Sequence, residues 1–214
     1  MKKHLLLIGF SCTGKTSLGR KAFGSEQIID SDRELRRWLW TKKKKKYCHV
    51  YEIFMDGDIS DRIKLHEDAN DLIIEGEQAL IKNWTHDKQH KIISLGPGFP
   101  LRDNWDKLRS IGHVVLFRRS ALGIYESLIV RRRDIFEECP EAEQYDNWDV
   151  DVIVNKRGEE YSRAEAISNI ERHISAREPY YSDNSDNRTN YDEVCTDDKE
   201  EALNTLKRIR ATLD

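Results

Sequence analysis

The chain has 214 residues, 38% of them hydrophobic and 35% charged, with a formal net charge of −3. Such a length suits one α/β-sized domain, and the composition excludes a disordered or fibrous chain. The near-neutral charge gives no reason to expect nucleic acid or an anionic membrane as partner.

In chain order, the first element is HLLLIG, an apolar strand that leads into a glycine-rich loop and a helix over 15–23. QIID reads as a second strand and 31–40 as a helix, followed by the lysine run at 42–46, which reads as a solvated loop or helix end. A helix over 60–83 precedes the strand KIISLG, and HVVLF is the fourth strand. In the helix over 120–133, Ser120 can cap while Leu122, Tyr125 and Ile129 form an inward stripe. The stretch 137–162 is polar and weakly periodic and reads as a solvated loop. A helix over 162–178, the strand YDEVCT and a helix over 198–212 complete the chain. Strands this apolar, alternating with helices, predict a parallel sheet covered on both faces. No stretch approaches the roughly 20 apolar residues of a membrane span, and the short run after Lys2 and Lys3 is no signal peptide. Cys12, Cys48, Cys139 and Cys195 lack zinc or thioredoxin spacing, which leads to the expectation of reduced thiols in a cytoplasmic protein.

The loop carries the chemistry. Gly9-Phe10-Ser11-Cys12-Thr13-Gly14-Lys15-Thr16 satisfies G-x-x-x-x-G-K-[ST] at a strand-to-helix junction. Glycines let a backbone wrap closely round phosphate, and the helix start adds its positive end. The expected nucleotide contacts are therefore Gly9, Ser11, Cys12, Thr13, Gly14, Lys15, Thr16 and Ser17. Lys15 reaches the β- and γ-phosphates, and the Thr16 hydroxyl ligates Mg²⁺. Cys12 is read as a small filler. In IIDSDREL, Asp30 and Asp32 lie two apart at a strand end, where period 2 predicts that they face one side. Ser31 and Glu34 match a capping box, so a helix is expected from Asp32. One carboxylate near Mg²⁺ and one near an incoming hydroxyl suits phosphoryl transfer. KIISLG ends without an acid, which makes Asp30 the candidate for the metal side. Gly96 and Gly98 either bring backbone close to a small substrate or simply turn the chain.

These motifs, taken together with YEIF (Glu52-Ile53-Phe54), GPG and Arg177-Glu178-Pro179-Tyr180-Tyr181, resemble the shikimate kinases in type and order. The resemblance implies a P-loop NTPase-like three-layer α/β/α fold with a five-stranded parallel sheet. It also implies a single kinase domain over 1–214 with a lid or insertion at about 134–162. It implies ATP and Mg²⁺, with the metal held through water by Asp30 and with Asp32 accepting or orienting the acceptor hydroxyl. Arg177 would bind the acceptor carboxylate, with Gly96 and Gly98 near its other hydroxyls. Arg133 aligns best with the lid arginine, and a second carboxylate arginine falls on Arg62, or on Leu72 if counted back from the glycine turn. Pro97 departs from the family's triple glycine and removes an N–H donor. Shikimate is the expected acceptor of a monomeric enzyme. The alternatives are another hydroxylated metabolite, a nucleotide, or a silent nucleotide-binding protein.

Overall fold

Six buried residues in succession make β1 (His4–Gly9) the centre of the sheet. The computed structural model describes residues 4–43, 59–87, 89–96, 98–99, 105–138, 152–153, 159–181 and 191–213. Four further strands, β2 (Ile28–Asp30), β3 (Lys91–Ser94), β4 (Gly112–Arg118) and β5 (Tyr191–Cys195), pair in the order β2-β3-β1-β4-β5. Every pairing is parallel. The five expected strands are the five observed. Helices α1 (Lys15–Phe23), α2 (Ser31–Lys43), α3 (Ile59–His86), α5 (Ala121–Glu138), α6 (Arg163–Tyr181) and α7 (Lys199–Leu213) match the six expected, within a few residues at their ends. The short α4 (Trp105–Ile111) was not anticipated from the pattern. At two turns it is too short to show a period, and it forms because Leu108 and Ile111 are buried against the sheet. Among the described residues no helix is long and apolar enough to cross a membrane.

Alternation along β1 divides the core. Leu6 and Ile8 join Leu80, Ile81 and Trp84 of α3 and Leu108 of α4 on one face. Leu5 and Leu7 join Leu18 of α1 and Leu206 and Ile209 of α7 on the other. Each such side chain taken fully out of water contributes about 1.5–3 kcal/mol. The strand therefore has no solvent face. At its start, buried His4 accepts the Lys91 amide on Nδ1 at 3.3 Å, which leaves Nε2 to donate to the Trp84 carbonyl at 2.8 Å.

Two expectations need correcting. On α5 the inward stripe is Ile124 and Leu128 with half-buried Tyr125, whereas Leu122 and Ile129 are 41% and 37% exposed. The helix sequence offers two apolar stripes, and packing against α6 selects the second. Ser120 does cap, its hydroxyl accepting the Gly123 amide at 3.1 Å. The polar stretch 137–162 is not wholly solvated either. Val152 and Ile153 are buried in a third cluster with Phe10, Ile124, Leu128, Ala166 and Ile170. The Tyr161 amide donates to the Ile153 carbonyl at 2.9 Å and so fixes this pair.

Helices α2 and α3 approach each other at Gly76, where a β-carbon would lie 2.9 Å from Trp38 Cε3 and would also collide with Leu35. Gly76→Ala gains about 1 kcal/mol of helix propensity. It loses more by overpacking, typically about 1–3 kcal/mol. A thermal melt should show Tm lower by a few degrees; an unchanged or higher Tm would mean the helices separate without cost.

Candidate active site

The loop after β1 closes on itself. Gly14 caps α1 in the left-handed region at φ 88°, without a side-chain cap, and the first turn holds no acid. Gly14 thus supplies no side-chain cap to the leading N–H groups of α1, the condition in which a helix start takes an anion. Lys15 is buried, and its Nζ donates to the carbonyls of Gly9 and Phe10, each at 2.8 Å. Thr13 Oγ1 also donates to the Phe10 carbonyl at 2.8 Å. Ser11 is buried, while Ser17 is exposed and donates to the Gly14 carbonyl at 3.1 Å. Thr16 Oγ1 meets the Ser94 hydroxyl at 2.8 Å, at the end of β3.

Ser94 was not singled out from the sequence, where only the absence of an acid at that strand end was noticed. It pairs with Asp30 in the β2–β3 register and bonds to Thr16, so Ser94 stands between the two at this end of the sheet. Asp30 plays the part expected of Ser31. Its Oδ1 accepts the amides of Asp32 and Arg33 at 3.1 and 3.3 Å and caps α2, which begins at Ser31 rather than Asp32. The Ser31 hydroxyl is fully buried and accepts the Gly96 amide at 2.7 Å, while Glu34 pairs with Arg37 at 2.7 Å. The capping box does not form, because the buried turn at Gly96 takes the serine first. Asp32 is likewise placed by a helical turn, not by strand alternation. A β-carbon at Gly96 would collide with the Asp32 carboxylate, so glycine is required there for space. The Gly96 N–H is already committed, and Phe99 N donates back to the Gly96 carbonyl at 3.2 Å to close the turn containing Gly98.

Arg177 of α6 lies over the Phe10 ring, its guanidinium carbon 4.9 Å from the centroid. Its neighbour Glu178 does not pair with it. Instead Glu178 receives both Nη atoms of Arg118 at 2.6 and 2.8 Å, and Glu193 receives Arg118 Nη2 at 3.0 Å. The Glu178 pair outweighs the cost of burial and pushes the Arg118 guanidinium up. The structure therefore brings together the phosphate loop, Asp30, Asp32, Gly96 and Arg177 at one end of the sheet. Arg62 and Arg133 fall on α3 and α5, but their side chains lie outside the described residues, as do Glu52, Ile53, Phe54 and Lys44 to Lys46 of the lysine run.

Beside the loop is a cavity of about 300 Å³, lined by Cys12, Thr13, Gly14, Ser17, Leu18 and Lys21 and closed by Arg119, Ser127, Thr196 and Lys199. Its size is within the range of small-molecule pockets. None of the last four was foreseen; two arginines in succession at the end of an apolar strand, HVVLFRRS, were the available signal. The wall next to Arg119 is held by Asp197, which accepts the Ser120 amide and hydroxyl at 3.0 and 2.7 Å. Burial would raise the Asp197 carboxyl, but the Ser120 bonds, with the Cys195 thiol and the Arg119 charge, hold it below its ordinary value. Among the described residues no group of three His, Cys, Asp or Glu could hold a metal ion. The Thr16 and Asp30 pair suits Mg²⁺, which takes one or two side chains and completes its shell with phosphate and water.

No family model matches the sequence, and no curated protein matches it either. Solved structures do match in fold. The chain aligns with shikimate kinase from Bacteroides thetaiotaomicron over 98% of its length and 97% of that protein's, at 17% identity and a TM-score of 0.51. It aligns with shikimate kinase from Acinetobacter baumannii, solved in complex with shikimate, over 99% of its length and 95% of that protein's, at 15% identity and a TM-score of 0.56. The architecture, a five-stranded parallel sheet between helices, is the P-loop kinase fold of these enzymes.

Proposed function

We propose that the chain is an ATP- and Mg²⁺-dependent kinase that phosphorylates a hydroxyl of a small metabolite bearing a carboxylate, shikimate first among them. The observation that carries this reading is the convergence of a helix start without a side-chain cap from Gly14, the Thr16–Ser94 bond beside Asp30 and the Asp32–Gly96 contact at one end of the sheet. Gly9 to Ser17 would hold the nucleotide phosphates, and Thr16 and Asp30 the metal. Bound ATP supplies the phosphoryl group, and Mg²⁺ neutralises its charge. The protein positions and stabilises. Lys15, at the start of α1, would exchange its bonds to the Gly9 and Phe10 carbonyls for an anion. Asp32, held by the first turn of α2, orients or accepts the proton of the acceptor hydroxyl. Arg177 presents a guanidinium fork beside Phe10, suited to bidentate binding of a carboxylate. Cys12 and Cys195 form no disulfide among the described residues, and the enzyme is read as a cytoplasmic monomer.

The test is ADP release with shikimate, gluconate and nucleoside monophosphates as acceptors, in the wild type and in Arg177→Ala. The expected outcome is turnover with shikimate, and acceptor binding weakened by about 2–5 kcal/mol in the variant. Arg177→Lys should recover only part of this, because a lysine has no fork. An unchanged acceptor KM would remove the carboxylate site. ADP binding without turnover on any acceptor would favour a silent nucleotide-binding protein.

A further inference from the structure

Cys12 is held at φ 60°, the only left-handed non-glycine conformation among the described residues, and it stands in the middle of the phosphate loop. A β-carbon is unfavourable in that region, and such a residue persists only where its surroundings over-determine it. Arg119 makes a contact that bears on it directly. Arg119 Nη1 donates to the Cys12 carbonyl at 3.0 Å and to the Ser127 hydroxyl of α5 at 2.6 Å. The guanidinium is thereby pinned to a rigid helix on one side and to the loop on the other. Gly123 leaves room for it, since a β-carbon there would lie 2.7 Å from Arg119 Nε. Because the peptide is planar and trans, fixing the Cys12 carbonyl also fixes the opposite direction of the Thr13 N–H, one of the loop's donors. Among the described residues Arg119 Nε is buried without a hydrogen-bond partner, and the side chain's hydrogen bonds are those made by Nη1.

We propose that Arg119 is a positioning residue for the phosphate loop: by holding the Cys12 carbonyl it keeps a non-glycine residue in the left-handed turn that the cradle requires. Affinity for a nucleoside di- or triphosphate then depends on an arginine outside the Walker A sequence. The inference rests on the nucleotide reading above and adds a residue to it. The experiment is calorimetric titration of the full chain with ADP and Mg²⁺, accompanied by thermal melts. The proteins are wild type, Arg119→Ala, Arg119→Lys, Cys12→Gly and the two double variants. Arg119→Ala is expected to weaken ADP binding by about tenfold or more, the scale of releasing one such backbone conformation. Arg119→Lys should show an intermediate loss. In chains that also carry Cys12→Gly both losses should shrink, because glycine takes φ 60° without the penalty. A purely structural arginine would lower Tm without this dependence on residue 12. Two results overturn the proposal: ADP binding unchanged in Arg119→Ala, or an equal loss with and without Cys12→Gly, which would mean that the arginine touches the nucleotide itself. If Arg119→Ala does not fold, the Arg119→Lys pair decides by the same comparison. Wild-type protein that binds no ADP removes the nucleotide reading and this proposal together, which distinguishes the two failures.

Discussion

Lys15→Ala should cut single-turnover phosphoryl transfer by a factor on the order of 10²–10³, the usual loss on removing one charge-stabilising donor. The lysine is not free of protein partners, since it donates to the Gly9 and Phe10 carbonyls from a buried position. Removing it takes a donor from the Gly9 carbonyl, while the Phe10 carbonyl keeps the Thr13 hydroxyl, so a small loss of stability accompanies the loss of rate. The two effects separate by measurement. Transfer is followed in a quench-flow experiment at saturating substrates, and stability by thermal melting. A variant that melts within a few degrees of wild type and has lost the expected rate supports the phosphate-loop assignment. Near-wild-type turnover in such a protein would sink it.

Asp32→Asn is expected to lower kcat by about 10²–10⁴, the range for losing a positioned acid–base group. Asp30, not Asp32, accepts the first amides of the helix, so changing Asp32 leaves the cap in place. Asn also caps well, so Asp30→Asn should keep the helix start while removing a charge next to Ser94. The Asp30 variant should therefore need more Mg²⁺ for half-maximal rate, with kcat recovering as the metal is raised. Titration with Mg²⁺ and melting curves for both variants give the answer. If Asp32→Asn lowers Tm and leaves kcat alone, the carboxylate is structural.

The strands and long helices were legible in the sequence because their patterns are local. HLLLIG is buried on both faces and reads so at a glance, and the glycine loop carries its function in fixed offsets. What could not be read depends on partners distant along the chain. Ser31 had the sequence of a cap, yet the Gly96 amide, 65 positions away, takes its hydroxyl. Ile124 and Leu128 outrank Leu122 and Ile129 only because α6 and Val152–Ile153 cover that side. Arg119 acts on a loop 107 positions earlier, and nothing in the Walker A sequence announces it. Side chains that answer a remote backbone group leave no periodic trace.

The central place of β1 has a bearing on how the molecule comes into being. Its register joins Leu6 to Ile93 on one side and to Val114 on the other, so the strand is complete only after β3 and β4 have docked. Contacts so remote along the chain must overcome loop-closure entropy before any of them is rewarded, and folding of such parallel sheets is slow. The loop after β1 leaves the ribosome about a hundred residues ahead of the Arg119 that holds its Cys12 carbonyl, a delay of roughly 5–20 s at ordinary synthesis rates. Until β3 and β4 have both been made, the six-residue strand β1 lacks one or both of its partners. The nascent chain is then at its most exposed to association with other chains, and the Arg119 bond that fixes the loop after β1 arrives late, as one of the last products of assembly.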